Sequence, residues 1–143
     1  MSEDESRLKY TMERQAQQTI KRGYSRWRKK QNIPDRCDIP DCWFYTKPLI
    51  WNSQPFRLIL DHKNGVNSDN SPENLRYLCP NCNSQQPTHG GGNKNRVEKS
   101  GGGFAIRRED GKKDYTLKAE PGHYEIGQEP AVIEWATLSD DVD

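Results

Sequence analysis

The chain has 143 residues, of which 31% are hydrophobic and 30% are charged, and its mean hydropathy is −1.16. This composition excludes a large apolar core, and no run approaches the roughly 20 apolar residues that cross a bilayer. The charged stretch from Met1 to Ser6 is unlike a secretory signal peptide. We therefore expect a soluble, cytoplasmic protein built around one small packed module with polar flanks.

Charge is distributed unevenly along the chain, although the total is +1. The net charge is +5 for residues 1–36, +1 for 37–99 and −5 for 100–143. A basic N-terminal part favours contact with a polyanion, and an acidic C-terminal extension favours a basic partner. An ordinary solvated surface would explain the same distribution, so charge alone leaves both interpretations open.

The N-terminal part carries a helical pattern of apolar residues. Apolar side chains recur every three or four positions from Leu8 to Trp27, which predicts an amphipathic helix over residues 7–30 and a linker to residue 36. Seven basic residues and no acidic residue lie between Arg14 and Lys30. Such a cationic face can follow phosphates, with Arg22 and Arg26 as candidate nucleic-acid contacts.

All four cysteines lie in the segment 37–99 and form two close pairs, Cys37 with Cys42 and Cys79 with Cys82. Paired thiolates of this kind suit tetrahedral Zn²⁺. Two disulfides, which the cytosol disfavours, and four unconnected thiols are the alternatives. A closed four-thiolate site leaves no position for water, so we expect this zinc to be structural and the chemistry to lie elsewhere.

The remaining segment, 100–143, is predicted to be a hairpin-rich acidic extension. Glycine triplets at 90–92 and 101–103 place the boundary near Ser100. Asp110-Gly111 lies between two strand-like runs and predicts a hairpin with a two-residue type I′ turn. Residues 131–138 are a further candidate strand, and the last four residues are expected to form a frayed acidic tail.

The segment between the cysteine pairs contains a series of short motifs in a specific order. They are Leu58-Ile59-Leu60-Asp61-His62-Lys63-Asn64-Gly65, Asp69-Asn70, Glu73-Asn74-Leu75, Leu78-Cys79-Pro80-Asn81-Cys82 and Gly92-Asn93-Lys94. Over residues 51–95 the sequence resembles the HNH endonucleases, the zinc-containing branch of the ββα-metal nucleases. This resemblance implies an α+β fold with a small ββα-metal module in residues 37–99. It also implies metal-dependent hydrolysis of phosphodiester bonds in DNA, which we expect to be double-stranded.

Phosphodiester hydrolysis needs a base for the attacking water and a divalent cation. An unperturbed imidazole titrates near neutral pH, which makes His62 the candidate general base. Asp61 is a hard oxygen ligand suited to Mg²⁺ or Mn²⁺, provided that the chain bends after the strand. The resemblance assigns Asn74 to orienting the histidine. It places Asn83 where the family usually has a metal-binding histidine, so the motif is His-Asn-Asn and Asn83 is the second candidate ligand.

Several further residues have both a functional and an ordinary interpretation. Phosphate contacts are expected from basic residues near the site, which surface exposure would explain equally well: Lys63, Arg76, Lys94 and Arg96. Trp43, Tyr45 and Trp51 could stack on bases but are expected to pack around the zinc. His89 is interpreted as a loop residue.

Two alternatives to this function stay open. The chain could be a non-catalytic zinc-stabilised nucleic-acid-binding module, or a subunit of a larger nucleic-acid complex, and asparagine at position 83 favours this alternative. The acidic extension could also dock a protein partner or inhibit the basic N-terminal part, so that cleavage would need that partner.

Overall fold

The computed structural model describes residues 4–87, 89, 95–118 and 138–139. These residues form a mixed helical and sheet structure, which confirms the predicted α+β class in this general form. The helices are α1 (Gln17–Lys30) and α2 (Pro80–Ser84). The strands are β1 (Ile50–Trp51), β2 (Gln54–Pro55), β3 (Ile59–His62), β4 (Leu75–Leu78), β5 (Val97–Ser100), β6 (Gly103–Arg107), β7 (Lys113–Leu117) and β8 (Leu138–Ser139). Neither of the described helices is long and apolar enough to cross a membrane.

The strands pair into three antiparallel sheets. Two are hairpins, β1–β2 and β3–β4, and the third has the order β7–β6–β5–β8. Helix α2 follows directly on β4 and packs against both strands of the β3–β4 hairpin. The chain therefore contains a strand, strand, helix unit in which β3, β4 and α2 are consecutive.

The N-terminal helix is shorter than predicted, because α1 begins at Gln17 and only a short 3₁₀ helix, Glu5–Arg7, precedes it. Tyr10 explains the difference. Its ring packs 5.7 Å from that of Phe104, and its hydroxyl lies 2.6 Å from each of the carbonyl oxygens of Ser100 and Gly103, either of which can accept its proton. Tyr10 also forms a β-bridge with Asp69. These long-range contacts hold the chain in an extended conformation where local periodicity predicts helix.

The cationic face predicted for this helix is largely engaged within the protein. Arg28 is 1% exposed and makes a two-pronged ion pair with Asp38, at 2.6 Å and 3.0 Å, so it cannot follow phosphates. Asp38 also accepts the backbone N–H of Tyr77 at 2.7 Å. Arg22 and Arg26, which remain mostly exposed, both reach Asp4. Asp38 follows Cys37 directly, so the Arg28 ion pair joins α1 to the cysteine cluster.

Within the described residues, the buried apolar side chains form three small clusters and not one large core. Ile20 and Tyr24 of α1 pack on Leu58, Leu75 and Tyr77 of the hairpin segment. A second cluster surrounds the cysteines, and its buried members are Cys37, Phe44, Leu78 and Cys79. A third cluster joins Val66 to Val97 and Phe104. Because strand residues alternate in direction, the β3–β4 hairpin presents one face to α1 and the other to the cysteines.

The C-terminal sheet covers the loop that follows β3, since Val66 of that loop packs on Val97 of β5 and Phe104 of β6. The predicted hairpin is present, but its predicted type I′ turn is wrong. The loop has three residues, Glu109–Gly111, and of these only Gly111 has a positive φ, +83°. A type I turn followed by a left-handed glycine has this pattern. Of the candidate strand 131–138, residues 131–137 lie outside the described residues, as does the acidic tail at 140–143.

Gly23 lies inside α1, where glycine ordinarily weakens a helix by about 1 kcal/mol relative to alanine. Here the glycine admits the N-terminal segment: a Cβ at position 23 would lie 2.4 Å from the backbone oxygen of Asp4. We expect Gly23→Ala to lower stability by about 1–3 kcal/mol, the usual cost of overpacking. Thermal unfolding and hydrogen exchange of residues 4–8 would measure this, with Gln18→Ala as an exposed control on the same helix. A higher melting temperature in Gly23→Ala would contradict this packing.

Candidate functional site

The four cysteines converge as predicted, and their sulfur atoms all lie within 4.8 Å of one another. Cys37 and Cys79 are buried, whereas Cys42 and Cys82 are partly exposed. A tetrahedron with zinc–sulfur bonds of about 2.3 Å has sulfur–sulfur edges of about 3.8 Å. The Cys42 and Cys79 sulfurs are 3.8 Å apart, so the cluster could hold a structural metal such as zinc.

Backbone N–H groups near the cysteines also donate hydrogen bonds to two of these sulfurs, which favours the thiolate form that binds a cation. The Sγ of Cys79 accepts the N–H of Cys82, and the Sγ of Cys42 accepts the N–H of Phe44, both at 3.4 Å. Burial raises the pKa of the Cys79 thiol, but the hydrogen bond from Cys82 and the neighbouring thiols outweigh burial and bring it below the usual value. Burial raises the pKa of Cys42 and Cys82. A divalent cation would supply the positive charge that several thiolates in one cluster need.

The β3–β4 hairpin places the candidate catalytic residues. Its register pairs Asp61 with Arg76 and His62 with Leu75. Asp61 and His62 are adjacent in β3, so their side chains lie on opposite faces, that of Asp61 with Arg76 and that of His62 with Leu75. The strand ends at His62, and a tight turn follows in which Gly65 donates its N–H to the His62 carbonyl at 2.9 Å. The chain therefore bends directly after the pair.

His62 is held by an asparagine to which sequence reasoning assigned no role. Its Nε2 lies 2.7 Å from the Oδ1 of Asn70, and both side chains are 2% exposed. An amide oxygen only accepts, so this contact places the imidazole proton on Nε2 and leaves Nδ1 as the basic nitrogen of neutral His62. Asn70 is itself fixed, because its N–H donates to the carbonyl of Lys9 at 3.2 Å. The pair Asp69-Asn70 in the motif series was the available signal.

Asn74 organises the loop between β3 and β4 without contacting His62 through a described hydrogen bond. Its Oδ1 accepts the N–H of Asn64, and its Nδ2 donates to the carbonyl of Asp69 at 2.8 Å. The buried carboxylate of Asp69 accepts the N–H and hydroxyl of Ser71 and lies 3.6 Å from the Nζ of Lys118. The loop that carries Asn70 is thus tied together by Asn74 and Asp69.

Asp61 lies on the face of the hairpin toward α2. Its Oδ2 accepts the Nε of Arg76 at 2.7 Å, and Arg76 also donates to Gln86, which lies just beyond α2. Among the described residues, no hydrogen bond reaches Asp61 Oδ1, so this oxygen could still bind a cation. Asp61 is 4% exposed, and Arg76 neutralises its charge.

Asn83, the other candidate metal ligand, lies in α2, directly after Cys82 and one residue before the helix ends at Ser84. Its side chain makes no hydrogen bond within the described part of the chain. Helix α2, which carries Asn83, packs on both β3 and β4, and Asp61 lies in β3. Carboxylate and amide oxygens together make a hard donor set, which fits Mg²⁺ or Mn²⁺ better than a soft metal.

The candidate phosphate contacts fall in different environments. Lys63 is exposed beside His62, whereas Arg96 donates to the Asn64 carbonyl at 3.0 Å and so supports the loop. Arg76 is engaged by Asp61, and Lys94 lies outside the described residues. His89 is exposed.

The aromatic residues near the cysteines differ from the expected packing. Trp43 is 68% exposed and Trp51 is 60% exposed, and Tyr45 lies under the guanidinium of Arg36 at 4.2 Å. The rings that contact each other beside the cysteines are Phe44 and Phe56, 4.8 Å apart. The prediction that the tryptophans pack around the zinc is therefore wrong for Trp43, whereas Trp51 packs edge-on against Phe44 with ring centroids 6.4 Å apart but stays mostly exposed.

Comparison with known proteins gives one local relationship. The chain is 46% identical over 46 residues to the H-N-H endonuclease F-TflIV of Escherichia phage T5. The matched segment is 32% of this chain and 20% of that protein, so the chain corresponds to about a fifth of its relative's length. No family profile and no solved structure matches the chain. The local similarity supports the resemblance to HNH endonucleases over a small region.

Proposed function

We propose that the protein is a metal-dependent HNH endonuclease that hydrolyses phosphodiester bonds of double-stranded DNA. The observation that carries this proposal is the arrangement at the end of β3. The β3–β4–α2 unit contains His62, whose Nε2 proton is directed to Asn70. The same unit contains the buried carboxylate of Asp61 and the amide of Asn83 in α2. Local similarity to a phage HNH endonuclease supports the same interpretation.

In this proposal His62 acts as the general base. Asn70 holds the Nε2 proton, so Nδ1 accepts a proton from water as the water oxygen attacks phosphorus and the bond to the leaving oxygen breaks. Asn74 and Asp69 keep the loop, and with it Asn70, in position for this step.

Asp61 and Asn83 would hold a single Mg²⁺ or Mn²⁺ through oxygen atoms. When bound, such an ion neutralises charge that develops on the phosphate and its leaving oxygen. Arg76 orients Asp61 through its hydrogen bond to Oδ2, which leaves Oδ1 for the cation. Lys63, exposed beside His62, would contact the phosphate backbone.

A second candidate function is a non-catalytic zinc-stabilised module that binds nucleic acid. The salt bridge between Asp61 and Arg76 favours it, because a carboxylate already neutralised by arginine attracts a divalent cation less strongly. Asn83, which offers a neutral oxygen, points the same way.

Supercoiled plasmid distinguishes the two functions. For the nuclease we expect relaxed and linear DNA in the presence of Mg²⁺ or Mn²⁺, and no product when these ions are omitted from protein that retains its zinc. DNA binding without any nicking, over a range of both ions, would favour the binding module. The zinc content should be measured in each sample, because loss of the structural metal would stop cleavage for another reason.

A further inference from the structure

A groove of about 640 Å³ lies between α1 and the segment that leads into β3. Helix α1 contributes Lys21, Arg22 and Ser25 to one wall, and Phe56 and Arg57 contribute to the other. This groove is separate from His62 and Asp61, neither of which lines it.

The groove is electropositive. Its lining contains three cationic side chains and a single carboxylate, that of Asp35. The Nζ of Lys21 donates to the Leu58 carbonyl at 2.5 Å, which holds one positive charge across the groove. Arg57 is exposed, and among the described residues no carboxylate pairs with it. An anion in the groove would therefore meet one fixed ammonium group and one available guanidinium group.

The groove also has a defined spatial relationship to the candidate site. Leu58 lines the groove and precedes His62 by four residues, which corresponds to about 13 Å of extended chain. Leu58 comes directly before β3, whose last residue is His62. Phosphates of one DNA strand advance by about 3.4 Å along the helix axis, so for a duplex axis parallel to β3 this separation corresponds to about four nucleotides.

We propose that this groove binds the phosphate backbone of double-stranded DNA, about four nucleotides from the phosphodiester bond that is cleaved at His62. The choice of DNA as occupant rests on the proposed function, and the charge and spacing of the groove carry the rest. Arg57 and Lys21 neutralise the backbone charge, while Phe56, packed edge-to-face on Phe44, keeps the wall rigid. The contact is to phosphate, so it adds affinity and orientation without sequence preference.

The test measures DNA affinity as a function of salt concentration, by fluorescence anisotropy with a labelled duplex and zinc-loaded protein. Mg²⁺ and Mn²⁺ are omitted so that cleavage does not enter. Each neutralised phosphate contributes about 0.9 to the slope of log affinity against log salt. We expect the slope for Arg57→Gln to be smaller than that of the parent by about this amount. When the salt is diluted tenfold, the affinity of the variant should therefore rise about eightfold less than that of the parent.

Two matched variants complete the test. Arg57→Lys should keep the slope of the parent, and Lys112→Gln, an equal loss of charge in the exposed β6–β7 loop, should leave it unchanged. Equal slopes for the parent and Arg57→Gln, or a parent that does not bind DNA, would overturn the groove proposal. A nuclease proposal that failed because His62 variants still cleave would leave this slope difference intact, so the two failures can be told apart.

Discussion

Replacement of His62 by alanine is expected to lower the rate of plasmid nicking by about 10²–10⁴-fold, the usual contribution of a general base. The physical reason is the loss of the nitrogen that accepts the proton of the attacking water. DNA affinity should stay close to that of the parent, because His62 is 2% exposed and contributes little surface to a bound duplex. The measurement is the initial rate of nicking at saturating Mg²⁺ or Mn²⁺.

Since His62 is buried, alanine at this position could also loosen the loop. His62→Gln serves as a second variant, because its amide can still donate to Asn70 Oδ1 but is not basic. His89→Ala removes an exposed imidazole from the same region and should nick DNA at the parental rate. Nicking at the parental rate by His62→Gln, with unchanged zinc content and circular dichroism, would remove His62 from the mechanism.

Loss of the cysteine cluster should have the largest effect on folding. We expect one zinc per chain in the parent, and we expect Cys79→Ser to lose both the metal and the cooperative unfolding transition. Structural zinc supplies about 10–16 kcal/mol in zinc-finger peptides, which is comparable to the whole stability of an ordinary domain. The small apolar clusters of this chain cannot replace that contribution.

The zinc prediction is checked by metal analysis, thermal unfolding, and cobalt(II) substitution, in which a four-thiolate site gives strong sulfur-to-metal charge-transfer absorption. Ser84→Ala, at the exposed end of α2, is the matched control and should retain both zinc and stability. A chelated parent that stays folded, with an unchanged melting temperature, would show that the cluster does not stabilise the chain through a metal.

Local patterns predicted some elements well. The cysteine spacing predicted a four-sulfur cluster, because a turn such as Cys79-Pro80-Asn81-Cys82 determines where two sulfurs lie. The strand-like runs correctly predicted the C-terminal hairpin, whereas the predicted type of its turn was wrong. The predicted start of α1 was wrong. The apolar pattern continues into residues around Tyr10, but contacts of Tyr10 with Ser100, 90 positions away, hold that segment extended.

The candidate site divides in the same way. Asp61, His62, Asn74 and Asn83 could be selected from ordered motifs, and their catalytic roles stay a prediction. The contact between Asn70 and His62 could not be selected, since it depends on how the loop after β3 folds back over the end of the strand. The engagement of Arg76 by Asp61 depends likewise on strand register.

By itself, the sequence determined the four-cysteine cluster, the mixed helical and sheet class and the position of the motif-bearing hairpin, because each depends on residues close together in the chain. Only the tertiary structure decided that Arg28 is buried against Asp38, that Asn70 directs the proton of His62 and that the C-terminal sheet covers the loop after β3. Arg28 illustrates the physical reason. The pattern of charges along a helix does not predict which face of that helix another segment will cover. That outcome depends on where distant residues bury their apolar surface and find partners for their charges.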